Sequence, residues 1–182
     1  MLSIYRLPGK LPDEKVMKVL RRDLFILVKK ILFFLLLLIL PFVLSYLVAT
    51  SIFPEILFGQ ISYPLFILLV SFFYLFLWVF FFFSFIDYYL DVWIITNERI
   101  INIEQQGFFA RTISEQRLER IQDVTSEVEG FFPTILKYGN VYVQTAGAKE
   151  RFFFSEIPNP DEVRDTIIKL AEISKKRAAH IA

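Results

Sequence analysis

"DVWIITNERIINIEQQGFF", residues 91–109, has the pattern of a β-hairpin. Val92 and Ile94 alternate with Trp93 and Ile95, so the first strand offers apolar side chains to both faces and should be covered on both. Asn97 opens the turn "NE", because asparagine is able to take the left-handed backbone angles of tight turns. "RIINIEQQ" then continues as the second strand of the hairpin.

Two long uncharged segments precede this hairpin. Residues 31–54 are 24 uncharged residues in a row, and residues 56–86 are another 31. A bilayer core about 30 Å thick is crossed by about 20 apolar helical residues, so each segment is long enough to span it. We therefore predict transmembrane helices at 31–49 and 61–86, with Pro41 as a tolerated kink in the first.

The distribution of Lys and Arg predicts the orientation of these spans. Residues 1–30 carry eight Lys and Arg against three Asp and Glu, whereas the loop 50–60 carries no Lys or Arg. Basic residues accumulate on the cytoplasmic side of a membrane. We expect a multi-pass protein of the cytoplasmic (inner) membrane, with both termini in the cytoplasm and the loop outside.

The composition argues against several classes of function. There is no cysteine and His180 is the single histidine, so the sequence offers neither a thiol nucleophile nor a usual zinc ligand set. The six glycines form no phosphate-binding loop. Residues 87–182 carry twelve basic and fifteen acidic side chains, unlike a nucleic-acid-binding surface. We expect no catalytic activity, cofactor, metal or nucleic-acid partner, and the uncharged span interiors favour an anchor over a channel.

The N-terminal segment predicts an amphipathic helix that lies on the membrane surface. Val16, Leu20, Leu24 and Leu27 recur at helical spacing, and Pro12 suits a helix start. Basic residues beside a span attract anionic lipid by about 1 kcal/mol each, but they also serve simply to set topology, and both explanations stay open. The candidate membrane-surface contacts are Lys15, Lys18, Arg21, Arg22, Lys29 and Lys30.

The residues after the spans predict six or seven short strands and a final helix. Further strands are expected at "FFARTISEQ", "RIQDVTSEVE", "NVYVQTA" and "ERFFFSEI", with a short helix or turn at "FFPTILKYG" and a turn at Gly147. Asn159 is the expected cap of the final helix and Pro160 its first residue. Its apolar stripe consists of Val163, Ile167, Leu170 and Ala171. A small sandwich or partly open barrel, plugged by the helix, fits these elements.

Five segments resemble the bacterial pleckstrin-homology-like (PH-like) domains of small membrane proteins. They are "WIITNERI", "GFFARTISE", "LERIQDVTSEVEGFF", "KYGNVYVQTAG" and "IPNPDEVRDTI", and the resemblance covers residues 88–173. It implies two sheets at near right angles closed by the C-terminal helix, and no general catalytic activity. The expected fold is an α+β membrane protein, in which a two-helix transmembrane hairpin precedes a cytoplasmic PH-like sandwich or barrel capped by a C-terminal α-helix.

The positions that match the family pattern are interpreted as structural. We assign them to turn geometry, core packing and helix capping, and leave a binding role open for Gln122 and Asp123. The matching positions are Thr96, Asn97, Arg99, Gln122, Asp123, Gly139, Pro158 and Pro160. In the turn "TNER", Arg99 is the single basic residue and stands beside Glu98. We therefore expect no specific phosphorylated-lipid pocket there, because one arginine gives too few charge-assisted bonds.

The predicted organisation leads to two main hypotheses of function. The segments are a cytoplasmic basic amphipathic segment at 1–30, transmembrane helices at 31–49 and 61–86 around an external loop at 50–60, and a cytoplasmic PH-like domain at 87–182. The preferred hypothesis is a non-enzymatic, membrane-anchored module that binds a protein partner or self-associates as a scaffold. The alternative is a protein that binds or senses anionic lipid, and a pore-forming oligomer is a third. Residues 88–182 are expected to fold alone.

Overall fold

The computed structural model describes residues 9, 11, 13–47, 50, 59–107, 110–145 and 152–181. The chain divides into two compact units. One, here called the helical unit, is Leu24–Tyr88. The other, the β unit, combines the chain before Leu24 with the chain from Tyr89 onward. The helical unit is therefore an insertion within the sequence of the β unit.

The helical unit consists of α1 (Leu24–Leu47) and α2 (Ser62–Leu90), whose last residues belong to the β unit. Both are long and apolar enough to cross a membrane. Pro41 lies inside α1 and has no N–H to donate to the preceding turn. The Tyr74 hydroxyl of α2 donates to the Leu38 carbonyl in that turn at 3.1 Å. A neighbouring helix thus provides a hydrogen bond beside the proline, as helices in membranes do.

The bounds of the two helices differ from the predicted spans at the start of α1 and at the end of α2. Helix α1 begins seven residues before residue 31, and α2 continues four residues past residue 86. Both extensions contain charged residues, so the uncharged runs mark the apolar part of each helix but not its backbone limits. Of the predicted external loop, residues 51–58 lie outside the described residues, as does the turn predicted at Gly147.

The β unit contains two antiparallel sheets. The first has the order β1-β2-β3-β4 and the second the order β5-β6-β7. The strands of the first sheet are β1 (Val16–Leu20), β2 (Val92–Thr96), β3 (Arg99–Gln106) and β4 (Ala110–Arg117). Those of the second are β5 (Ile121–Glu127), β6 (Tyr138–Thr145) and β7 (Phe152–Pro158). The short helix α3 (Phe131–Leu136) joins β5 to β6, and α4 (Pro160–Ile181) follows β7.

The N-terminal segment corrects one prediction, because residues 16–20 form strand β1 and not an amphipathic surface helix. Strand β1 pairs antiparallel with β2, and Leu20 lies opposite Trp93 in that pair. Without this pairing, β2 would be the edge of the sheet, with unpaired N–H and C=O groups. The pairing partner lies more than seventy residues away in sequence, past both apolar helices, so the local helical spacing gave no sign of it.

The same pairing corrects the predicted boundary of the PH-like domain at residue 87. Residues 1–23 carry six basic and three acidic side chains, and residues 89–182 carry twelve basic and fourteen acidic side chains. The β unit is therefore close to neutral, whereas residues 87–182 alone are net acidic. The end of β1 lies beside the start of β2 in the sheet. The chain therefore leaves the β unit after β1 and returns to it before β2 at neighbouring points.

One apolar core joins the two sheets and α4. Trp93 and Ile95 face this core, while Val92 and Ile94 join a separate cluster on the opposite face of β2. The predicted two-sided covering of this strand is confirmed, since all five of its residues are buried. Helix α4 packs against β5, β6 and the turn at Leu118–Arg120. Its predicted stripe faces the core, where Val163, Ile167 and Ala171 are buried and Leu170 is half-buried.

Candidate functional site

The first hairpin turn is held by Thr96 and Asn97. The buried Thr96 hydroxyl donates to the Arg99 carbonyl at 2.8 Å and accepts the Arg99 N–H at 2.9 Å. Asn97 does not take the left-handed angles expected of it. Its side-chain oxygen instead accepts the Lys15 N–H at 2.7 Å, and its amide donates to the Asp13 carbonyl at 3.3 Å. Asn97 therefore ties the segment before β1 to this turn.

Arg99 is buried and held by two carboxylates. Its Nε and Nη2 donate to the two oxygens of Glu14 at 2.9 and 3.0 Å, and Nη1 pairs with Glu115. Nη2 also donates to the Gly9 carbonyl at 2.9 Å. Because this guanidinium already serves protein acceptors, a phosphate at the turn would have to displace them. Glu14 precedes Arg99 by 85 residues, and no local pattern marked it as the partner.

Burial and the Arg99 pair set the protonation of Glu14. Burial alone would raise the pKa of this carboxyl, but hydrogen bonds from Arg99, the Leu11 N–H and Thr96, together with the arginine charge, lower the pKa below its ordinary value. Hydrogen bonding to Glu14 raises the pKa of Arg99 in turn, against the opposing effect of burial. The pair is therefore fully ionised at neutral pH.

Most of the candidate membrane-surface residues make contacts within their own unit. Lys18 pairs with Glu162 of α4 at 2.8 Å, and Arg22 pairs with Asp91 at 2.7 Å. The Arg21 guanidinium lies 5.3 Å from the centre of the Tyr89 ring. Within the helical unit, Lys30 Nζ donates to the Ser84 carbonyl at 3.1 Å. Lys15 and Lys29 are exposed.

Gln122 and Asp123 lie at a register shift in the β5–β6 pair. Asp123 accepts the Val124 N–H at 2.9 Å and the Thr125 hydroxyl at 3.4 Å, so its carboxylate stabilises the irregular backbone. Gln122 is exposed. These contacts favour the structural interpretation of Asp123.

Gly139 lies where β5, β6 and the start of α4 approach one another closely. A Cβ at this position would lie 2.5 Å from the Glu127 carbonyl oxygen and 3.1 Å from Pro160 Cγ. Lys137, two residues before Gly139, has a left-handed φ of 56°. Its carbonyl accepts the N–H of Asn159, which follows Pro158 and has a left-handed φ of 49°. Only glycine fits at this position, because a Cβ would collide with the Glu127 carbonyl oxygen. The family positions Gly139, Pro158 and Pro160 form one structural corner.

A group of exposed apolar side chains lies on and just before α3. No residue of this helix is buried, although four of its six side chains are large and apolar. We call this set the α3 surface: Val128, Phe131, Phe132, Ile135 and Leu136. Phe131 is 74% exposed and Ile135 59% exposed. Since folded proteins rarely leave such a group in water, it is the strongest candidate for an interaction surface in the β unit.

The immediate surroundings of the α3 surface are mainly acidic. Glu127 and Glu129 precede the helix, and Lys137 follows it. Burial, with the nearby Glu127 and Glu129 carboxylates, raises the pKa of Tyr142. Within the described ranges, no group of three His, Cys, Asp or Glu side chains is placed to hold a metal ion. The arrangement offers apolar contact rimmed by negative charge.

The two antiparallel sheets and the closing helix α4 define a PH-like fold. The chain belongs to the bacterial PH domain family, since the model of the family described as "Bacterial PH domain" matches residues 23–171. The match begins after β1 and runs through both apolar helices. The resemblance seen in the sequence is thereby confirmed.

The comparison with solved structures found a protein of the DUF1696 family with a pleckstrin-homology domain from Shewanella loihica. It is 19% identical, and the match covers 44% of this chain and 70% of the other, with a TM-score of 0.37. A likeness at this level carries no argument about function. No curated protein matches this chain.

Proposed function

We propose that this protein is a non-enzymatic, membrane-anchored module that binds a protein partner at the cytoplasmic face of the membrane. The observation that carries the proposal is the α3 surface, an exposed apolar group on a unit that otherwise has a well-covered core. Membership of the PH-like family supports a binding role. Helices α1 and α2, which are long and apolar enough to cross a membrane, would serve as the anchor.

The charge around the α3 surface favours a protein over a lipid bilayer as its occupant. Glu127 and Glu129 lie at its edge, and the cytoplasmic leaflet carries anionic lipid. Negative side chains would oppose insertion of Phe131 and Phe132 into such a leaflet. A protein segment with apolar side chains flanked by Lys or Arg would match both the apolar centre and the acidic rim.

The surface is tested by crosslinking in native membranes. In the full chain, Phe131→Ser with Phe132→Ser should abolish a specific crosslinked protein product, because these two exposed rings are the largest side chains of the α3 surface. The matched control is Ile173→Ser, which removes an exposed apolar side chain from α4. An unchanged crosslinking pattern in the double variant, with the fold intact by circular dichroism, would refute this assignment.

The orientation is tested with single cysteines, since the chain has none. Under the positive-inside rule, Ser51→Cys should react with a membrane-impermeant thiol reagent on intact cells, and Glu172→Cys only after lysis. The reverse labelling pattern would place the β unit on the outer side and contradict the proposal.

Lipid binding remains the alternative, and it rests on Lys15 and Lys29, which are exposed. Replacing both with Gln should weaken binding of the full protein to liposomes containing anionic lipid if this alternative holds, by about 2 kcal/mol at low salt. No change would leave the protein-binding role as the better explanation.

A further inference from the structure

A cavity of about 330 Å³ opens between the first sheet and β7. It lies within the β unit and is separate from the α3 surface. Strands β2, β3 and β4 contribute Trp93, Asn102 and Ser114, and β7 contributes Phe152 and Phe153. Its volume falls in the range of small-molecule sites, roughly 300–1,000 Å³.

The sheet changes from apolar to polar along its inner face at this cavity. Ile95 and Ile100 are neighbours on the inner face and are fully buried in the core. The next row on the same face runs from Trp93 through Asn102 to Ser114, and the row beyond it pairs Glu104 with Thr112. An apolar core would continue with apolar residues here, so the polar rows need another explanation.

Two uncharged side chains at the cavity each have a buried polar atom without a hydrogen-bond partner among the described residues. These atoms are the Trp93 Nε1, a donor, and the Asn102 Oδ1, an acceptor. Trp93 is 4% exposed, and its cross-strand neighbour is Asn102. Burying polar groups without partners costs free energy, so nearly all such groups in folded proteins have one. A molecule that accepts from Trp93 and donates to Asn102 would satisfy both.

The charges of the described residues around the cavity disfavour phosphorylated molecules. Among the described lining residues the basic side chain is Arg22, and it pairs with Asp91 at 2.7 Å and with Glu156 at 3.7 Å. Glu104 adds a further carboxylate to the lining. An anionic ligand would therefore meet net negative charge at short range, whereas an uncharged one would not.

We propose that this cavity binds a small uncharged molecule that carries amide or hydroxyl groups. Trp93 Nε1 donates to an oxygen of the ligand, and Asn102 Oδ1 accepts from its N–H or O–H. The hydroxyls of Ser114 and Thr112 extend the polar contacts, and Phe152 covers the apolar side of the ligand. The site lies between the sheets, apart from the first hairpin turn.

The test uses nuclear magnetic resonance of the full-length protein in detergent, labelled with ¹⁵N at tryptophan. The chain has two tryptophans, so Trp78→Phe identifies the indole signal of Trp93. Three uncharged probes are titrated: N-acetylglucosamine, N-methylacetamide and glycerol. The charged counterpart is the phosphorylated form of N-acetylglucosamine. At least one uncharged probe should move the Trp93 signal to saturation, and where that probe is N-acetylglucosamine its phosphorylated form should bind about tenfold more weakly.

Variants locate the binding in the cavity. Asn102→Leu should abolish the titration, and the milder Ser114→Ala should weaken it severalfold if Asn102→Leu does not fold. Gln144→Leu, which removes an exposed amide from β6, is the matched control and should leave the titration unchanged. The proposal is overturned if none of the uncharged probes moves the signal, in which case the cavity holds only water. Equal binding of the phosphorylated sugar, or titration that survives both cavity variants, overturns it as well.

Discussion

Glu14 and Arg99 show how one buried ion pair fixes the first hairpin turn. The two side chains are almost fully covered, and Arg99 also contacts Glu115 and the Gly9 carbonyl. Replacing buried ion pairs with apolar residues is often neutral, but removing one partner leaves an uncompensated charge. The pair therefore specifies where the N-terminal segment docks more than it adds net stability.

Removal of the Glu14 charge should destabilise the β unit. Glu14→Gln is expected to lower the free energy of unfolding by about 3 kcal/mol, because the Arg99 guanidinium stays buried with one carboxylate lost. Thermal unfolding of the detergent-solubilised protein, followed by β-sheet circular dichroism, measures this. Glu162→Gln, which removes the exposed partner of Lys18, is the control and should cost less than about 1 kcal/mol. Equal effects of the two variants would show that burial of the Glu14 pair is unimportant.

The same pair predicts how stability depends on pH. The pKa of Glu14 is lowered in the folded protein. The contribution of Glu14 to the free energy of unfolding is therefore fully present above its unfolded pKa of 4.5, and it is lost as the pH falls through the folded pKa. The difference in unfolding free energy between the wild type and Glu14→Gln should be constant from pH 5 to pH 7 and shrink below about pH 4.5. A difference that grows on acidification would mean that the folded pKa is raised.

At the scale of elements, the corner between β5, β6 and α4 depends on close backbone approach. Gly139 has no side chain, and this lets the Glu127 carbonyl and Pro160 come within contact of it. The family positions Pro158 and Pro160 lie at the same corner, at the end of β7 and the start of α4. The sequence marked these residues as structural, but the close approach itself depends on three elements packing together.

A methyl group at Gly139 should therefore disturb this corner. We expect Gly139→Ala to destabilise the β unit by about 1–3 kcal/mol, because the backbone carbonyl of Glu127 has to move away from the new Cβ. Chemical unfolding measures this loss of stability, and circular dichroism checks that the variant still folds. Gln144→Ala on the same strand is exposed and should change stability by less than about 0.5 kcal/mol. Equal stability of the two variants would contradict the close approach of the Glu127 carbonyl to Gly139.

At the scale of the whole molecule, the apolar helices are inserted between two paired strands. Strand β1 ends at Leu20 and β2 begins at Val92, and these strand ends are neighbours in the sheet. The Arg22–Asp91 pair lies at the same junction. Consequently the β unit needs residues from both sides of the helical unit to complete its first sheet.

This connectivity changes the expectation that residues 88–182 fold alone. The fragment 88–182 is expected to be much less stable than a soluble variant in which residues 9–23 are joined to 89–182 by a short Gly/Ser linker. The fragment lacks Leu20, which is buried in the core, and leaves Arg99 without Glu14. Circular dichroism and urea unfolding of both proteins compare them, with a loss of about 4 kcal/mol or more expected for the fragment. Equal stability would show that β1 is dispensable.

The sequence alone determined those features that depend on neighbouring residues. Uncharged runs identified the two apolar helices, alternation in "DVWIIT" identified a strand covered on both faces, and the apolar stripe from Val163 to Ala171 identified the buried face of α4. The family resemblance followed from short motifs of the same kind. Each of these signals lies within one element, where side-chain periodicity reports directly on burial.

Which distant residues meet depends on how the separate elements pack together. The segment at 16–20 has an apolar spacing that fits a helix, yet the open edge of β2 supplies the backbone hydrogen bonds that make it a strand. Glu14 finds Arg99, and Asn102 and Trp93 line one cavity, because strand pairing sets their register across the sheet. Such contacts have no local pattern, since their free energy arises only when separate elements pack together.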